Sequence, residues 1–126
     1  MDYEAAEDVY RQLGQSVVGA IDGDWDAARL VCEIEDEESG SLYGVYTYTE
    51  GGAVRAGQFD ADHDAYLLFR ELRAATEHPD HGPWTTATFK LDRDLRFSVD
   101  FGYDPLDEDE APWDRAERVE REMLSE

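Results

Sequence analysis

The stretch that most constrains the fold runs from Pro83 to Tyr103. Pro83-Trp84-Thr85-Thr86-Ala87-Thr88-Phe89-Lys90-Leu91 and Leu95-Arg96-Phe97-Ser98-Val99-Asp100-Phe101-Gly102-Tyr103 are two runs rich in aromatic and β-branched residues, separated by Asp92-Arg93-Asp94. Two such runs about a short polar break predict an antiparallel hairpin. Side chains alternate along a strand, so Leu95, Phe97, Val99 and Phe101 share one face while Arg96, Ser98 and Asp100 share the other. In the first run Ala87, Phe89 and Leu91 join the apolar face, with Trp84, Thr86, Thr88 and Lys90 opposite. That apolar face is core, and the other is wet or shared with a partner. The hairpin contains no evident set of catalytic groups.

The preceding chain supplies what such a hairpin needs to fold against. Tyr3, Ala6, Tyr10, Leu13 and Val17 recur at helical spacing, predicting a first helix from about Asp2 to Ile21. Gly14 and Gly19 weaken it and Asp22-Gly23-Asp24 ends it, with Trp25 folding back over its end. Ala28, Leu30, Cys32 and Ile34 alternate with Arg29, Val31, Glu33 and Glu35, a half-buried strand. After the polar turn Asp36 to Ser41, strands over Leu42 to Thr49 and Ala53 to Phe59 are joined at Glu50-Gly51-Gly52, completing a meander. A second helix covers about Asp62 to Glu77, with Asp62 or Asp64 as N-cap and Ala65, Leu68, Phe69, Leu72 and Ala75 on one face. His78 to Pro83 breaks it. Beyond the hairpin, Trp113 to Leu124 carries a thin stripe of Trp113, Ala116, Val119 and Leu124 behind Pro112, a last helix.

The order α-β-β-β-α-β-β-α predicts an α+β fold. We expect a mainly antiparallel five-stranded sheet with helices packed on one face, and the other face, where tyrosines and acids collect, open. At 126 residues, with no internal repeat and no long linker, residues 1–126 form a single domain. No apolar run approaches a membrane-spanning length, and Met-Asp-Tyr-Glu lacks the basic and apolar regions of a secretory leader. A soluble cytoplasmic protein without membrane contact is expected. Cys32 is the one cysteine, which excludes an internal disulfide and a cysteine-based zinc cage; its inward strand position makes it a buried, inert thiol.

The chain carries 32 acids against 11 bases, a formal net charge of −21. Such a field repels nucleic acid directly and steers cationic partners toward the protein. A different origin is proteome-wide acidity in a salt-adapted cell, which suits a chain whose only lysine is Lys90. Local acid clusters must be weighed against this background. Asp60-x-Asp62-x-Asp64 with Glu71, and Asp22-x-Asp24-x-Asp26 with Glu33, have the acidic spacing of a calcium loop. Both place alanine (Ala65, Ala27) where that loop needs glycine, and chance explains them. His78-x-x-His81 beside Asp80, with His63 elsewhere, holds zinc-ligand types, yet a solvated Pro/Gly loop is the simpler account. Neither a Gly-x-Ser-x-Gly elbow, nor a phosphate-binding glycine loop, nor a Cys/His nucleophile pattern is present. The expectation is a non-enzymatic protein with no catalytic residues, no metal and no cofactor.

The segment Asp104-Pro105-Leu106-Asp107-Glu108-Asp109-Glu110-Ala111-Pro112-Trp113 reads in two ways. It is a solvated acidic loop, or an electronegative patch beside an aromatic anchor, the pairing that gives interfaces fast encounter and a desolvated hot spot. The candidate partner-binding residues are therefore Asp104, Asp107, Glu108, Asp109, Glu110 and Trp113.

Several residues together carry a family resemblance. After a first helix come Trp25, a strand ending near Glu33, the Tyr46 strand and a Leu68-Phe69-x-x-Leu72 helix. Trp84-Thr85-x-x-Thr88-Phe89-x-Leu91 and Phe97-x-Val99-Asp100-Phe101-x-Tyr103-Asp104 then follow. From about Tyr3 to Trp113 this order resembles the YezG-like immunity or antitoxin family, and the Trp-to-Tyr-Asp block contributes most of the likeness. The resemblance implies a small non-enzymatic protein that binds and neutralises a cognate domain of a bacterial polymorphic toxin, often a nuclease. A basic toxin domain would be met by occlusion and acidic charge complementarity. The alternative is a regulatory or structural binding module of a salt-adapted cell, its acidity serving solubility. Oligomeric state is left open.

Overall fold

The computed structural model describes residues 3–34, 40–77, 80, 82–104 and 112–125, with side chains from residue 7 in the first helix and from residue 114 in the last. The elements are α1 (Tyr3–Ala20), β1 (Ala27–Ile34), β2 (Gly40–Glu50), β3 (Ala53–Phe59), α2 (His63–Ala75), β4 (Thr86–Asp92), β5 (Phe97–Gly102) and α3 (Pro112–Leu124). The strands form one five-stranded sheet ordered β3-β2-β1-β4-β5, and every neighbouring pair is antiparallel. The expected α+β order and the single mainly antiparallel sheet are what the chain builds.

Local chemistry accounts for the element ends. Asp62 caps α2 by accepting the Ala65 N–H at 2.9 Å, which removes one unpaired donor from the first turn. Gly51 and Gly52, at φ 59° and 82°, make the two-residue turn between β2 and β3; a tight hairpin turn of this hand requires left-handed backbone at both positions. Phe59 lies directly over Gly44, where an added Cβ would stand 2.4 Å from the ring.

α1 and α2 cover one face of the sheet. Leu13 and Val17 from α1, Ala65, Phe69 and Leu72 from α2, and Leu30, Cys32, Ile34, Ala87, Phe89 and Leu91 from the sheet are buried together there. The expectation that all helices share this face is corrected by α3, which packs on the opposite one. Val31 and Val45 are buried there against Ala116, Val119 and Met123. Seven consecutive residues of β1, Ala28 to Ile34, are therefore buried, although their alternation reads as half-buried. Arg29 and Glu33 made the α3 face look solvated. Both are held in ion pairs, Arg115 to Glu33 at 3.0 Å and Arg29 to Glu122 at 3.5 Å, because a charge under a helix needs a partner.

The tyrosines divide between the two faces, Tyr46 against the α1–α2 core and Tyr43 against the α3 cluster. Two residues of the opening hairpin also differ from expectation. Trp84, placed opposite the core by alternation, is fully buried in it. The Thr85 N–H donates to Gly102 O at 2.8 Å while Thr86 is the register partner of Gly102, so two residues oppose one. A bulge of this kind shifts strand parity by one, turning Trp84 inward beneath Phe69 and Phe101. Its Nε1–H donates to Thr76 Oγ1 at 3.2 Å, which satisfies the one polar atom the indole buries. Leu95, expected as the first inward residue of the second strand, lies in the turn at φ 66°.

Candidate partner-docking surface

The turn that holds Leu95 is built by Asp92. Its side-chain Oδ1 accepts the N–H groups of Asp94 at 2.9 Å and Arg96 at 3.0 Å, and its own N–H donates to Arg96 O at 3.0 Å. A three-residue loop closed this way ends in a left-handed residue, a position suited to glycine. Here that residue is a leucine, 61% exposed.

Leu95 opens onto a groove of about 750 Å³ between α1 and the β4–β5 hairpin, lined by Tyr10, Gly14, Val18, Phe89 and Phe97 among others. Phe97 is 50% exposed and Val18 46% exposed. The Phe97 ring stacks on Phe89 at 5.7 Å and meets Tyr10 at 5.3 Å. Burial pushes the Tyr10 phenol above its ordinary pKa, so at neutral pH it offers a hydroxyl and no charge. Gly14 lines the groove beside Phe89, and a Cβ there would stand 4.0 Å from the ring, at ordinary contact distance. Glu7 and Arg11 stand at the rim, and Arg11 is paired with Asp8 at 3.2 Å. The groove thus has an apolar floor and few fixed charges, the character of a contact core in a protein interface.

β5 forms the outer wall of this region and is an edge of the sheet. Asp92 bonds to Arg96 and Thr85 to Gly102, so the even-numbered residues of β5 turn their backbone groups toward β4. By antiparallel alternation, Phe97, Val99 and Phe101 turn theirs outward. Among the described residues no backbone group pairs with that outer edge.

Of the sequence-derived partner residues, only Asp104 is described at the other end of β5. Asp104 is exposed just beyond the strand, its carbonyl accepting the Thr85 hydroxyl. Asp107, Glu108, Asp109 and Glu110 lie outside the described residues, as does the side chain of Trp113, whose backbone belongs to the first turn of α3. Sequence reasoning passed over the groove because each lining residue fits a core stripe. Its signal was Val18, an apolar residue just off the buried stripe of α1.

Other constellations have structural employment. Asp62, from the calcium-like cluster, caps α2, and His63 stacks on Tyr66 at 6.1 Å. His78 and His81 lie outside the described residues. Among the described residues, no group of three or more His, Cys, Asp or Glu side chains is placed to hold a metal ion. Burial, reinforced by Glu33, pushes the Cys32 thiol up to about 12, so the nucleophilic thiolate is scarce at neutral pH. No helix among the described residues is long and apolar enough to cross a membrane.

A family model described as Immunity protein YezG-like matches residues 6–124 of this chain. The chain belongs to that family. The match takes in all five strands, the groove and α3, and runs past Trp113, where the span on which the resemblance rests ends. Immunity protein YezG of Bacillus subtilis is 27% identical over 112 residues, covering 79% of this chain and 74% of that protein. Immunity protein YezG of Bacillus spizizenii is 25% identical over 118 residues, covering 84% of this chain and 73% of that protein.

Proposed function

We propose that this protein is an immunity protein of the cytoplasm that binds a cognate polymorphic-toxin domain, a nuclease, and neutralises it without chemistry of its own. Membership of the YezG-like family supports the immunity role. The observation that carries the binding role is the open apolar groove with a left-handed, exposed Leu95 at its mouth. A strained, solvent-facing leucine is poor design for stability alone, and such strain collects at sites of function.

Neutralisation works by occlusion combined with opposite charge. A nuclease presents a basic cleft to phosphates, and a chain of net charge −21 is steered toward such a surface. Asp104, Asp107, Glu108, Asp109 and Glu110 supply the steering patch and Trp113 an anchor beside it. The deciding experiment is co-expression with the toxin encoded by the adjacent gene. A stable complex and survival of the host are expected; toxicity undiminished, with no complex recovered, would refute the assignment.

A further inference from the structure

We infer that the outer edge of β5, with the groove beneath it, receives an extended amphipathic segment of the toxin domain as a sixth strand. This rests on the toxin-binding role proposed above. Three observations on the same element converge on it. The outward backbone groups of Phe97, Val99 and Phe101 have no partner among the described residues. Proteins ordinarily cover or blunt such an edge because it templates pairing with another chain. The side chains of the same three residues point toward the α1 face, where Phe97 floors the open groove, so a strand added here would send alternate side chains into an apolar slot. On the opposite face stand Ser98 and Asp100, with Arg96 just before the strand on the same side, and the Asp100 carboxylate is 65% exposed and bonded to Lys90 at 2.9 Å.

These faces fix the chemistry of the occupant. Residues of the added strand on the α1 side are apolar, filling the space between Val18, Leu95 and Phe97. Residues on the other side are uncharged and polar beside Arg96 and the Lys90–Asp100 pair, with Lys or Arg only past the strand end, where Asp104 is exposed. Main-chain hydrogen bonds provide affinity and the alternate pockets specificity, as in other strand-addition complexes. A second copy of this chain fits poorly. Edge-to-edge self-pairing would bring two bodies of net charge −21 together and set Asp100 near its own equivalent, whereas like charges opposed across strands are destabilising.

The test is residue-resolved amide hydrogen exchange on the full chain, alone and bound to the catalytically inactivated toxin domain from the adjacent gene. In the free protein the amides of Phe97, Val99 and Phe101 should exchange quickly. In the complex they should slow at least ten-fold. Val99→Pro removes one outward N–H without touching the β4 ladder, and should weaken the complex at least 100-fold while the free variant retains the wild-type circular dichroism spectrum. A complex whose formation leaves the three amides at their free rates overturns this inference alone and leaves the immunity role standing. Absence of any complex overturns both. Protection that appears in the free protein as its concentration rises identifies a second copy as the occupant, and also overturns it.

Discussion

Left-handed backbone at Leu95 crowds its Cβ against the following carbonyl, which costs an L-residue about 1–2 kcal/mol. Asparagine tolerates that backbone and, unlike glycine, adds little freedom to the unfolded chain. Leu95→Asn is therefore expected to stabilise the protein by about 1 kcal/mol, read as a higher urea midpoint at unchanged m-value, while weakening toxin binding. A lowered midpoint would show that Leu95 contributes packing worth more than its strain. Period-two reading hid this residue, since Leu95 continues the apolar series of Phe97, Val99 and Phe101. The turn starts one residue later than the polar triplet suggests because the Asp92 carboxylate holds the N–H groups of Asp94 and Arg96. Trp84 was misplaced for a related reason: alternation counts residues, and the bulge at Thr85 adds one. Cys32, by contrast, was legible as a buried thiol. Its folded-state pKa is about 12 against an ordinary 9.0, so between those values the unfolded chain binds fewer protons and stability falls as pH rises. The contribution is complete below pH 9 and lost through pH 12, roughly 4 kcal/mol in all. The stability gap between wild type and Cys32→Ala should accordingly narrow from pH 8 to pH 11; a constant gap would mean the thiol is not the group responsible.

At the scale of elements, the sheet face on which α3 docks is what the sequence concealed, although the helix itself was legible. Val31 on β1 has Arg29 and Glu33 two residues to either side, a pattern indistinguishable from a solvated strand face until a second helix is laid over it. The stripe of α3 is short, Ala116, Val119 and Met123, so its docking relies heavily on the Arg115–Glu33 pair. The side chains of this pair are 10% and 7% exposed, and the Ser41 hydroxyl donates to the same Glu33 oxygen at 3.4 Å. Removing one partner strands a buried charge, whereas replacing both with apolar groups of similar size is often neutral. Glu33→Ala should cost about 3 kcal/mol and speed amide exchange along α3. Glu33→Leu combined with Arg115→Met should restore most of that stability. A double variant no better than the single one would mean that the pair specifies where α3 sits as well as neutralising a charge. By comparison α2 was legible nearly to its ends, because Asp62 combines a capping side chain with the helical run Ala65, Phe69 and Leu72.

At the scale of the whole molecule, the proposed complex divides the work of binding between net charge and apolar groove. Exposed charges farther apart than the Debye length, about 10 Å at 0.1 M salt and 3 Å at 1 M, are screened from one another. Steering by a net charge of −21 therefore acts on the encounter, and short-range apolar packing acts on the lifetime. The association rate with a basic toxin domain should fall by about 100-fold between low and molar salt, from a steered toward an unsteered value. The dissociation rate should change far less, since the Phe97 floor and the β5 edge hold the complex by contacts that salt does not screen. Reversing Asp107, Glu108, Asp109 and Glu110 to lysine should flatten the salt dependence and slow association, and an unchanged urea midpoint will check that the fold is kept. Trp113→Ala, if the indole is the anchor beside that patch, should instead quicken dissociation at every salt concentration. Stopped-flow association measured across salt separates these contributions. An association rate indifferent to salt would rule out charge steering, and a four-lysine variant that associates like wild type would place the steering charges elsewhere on the surface.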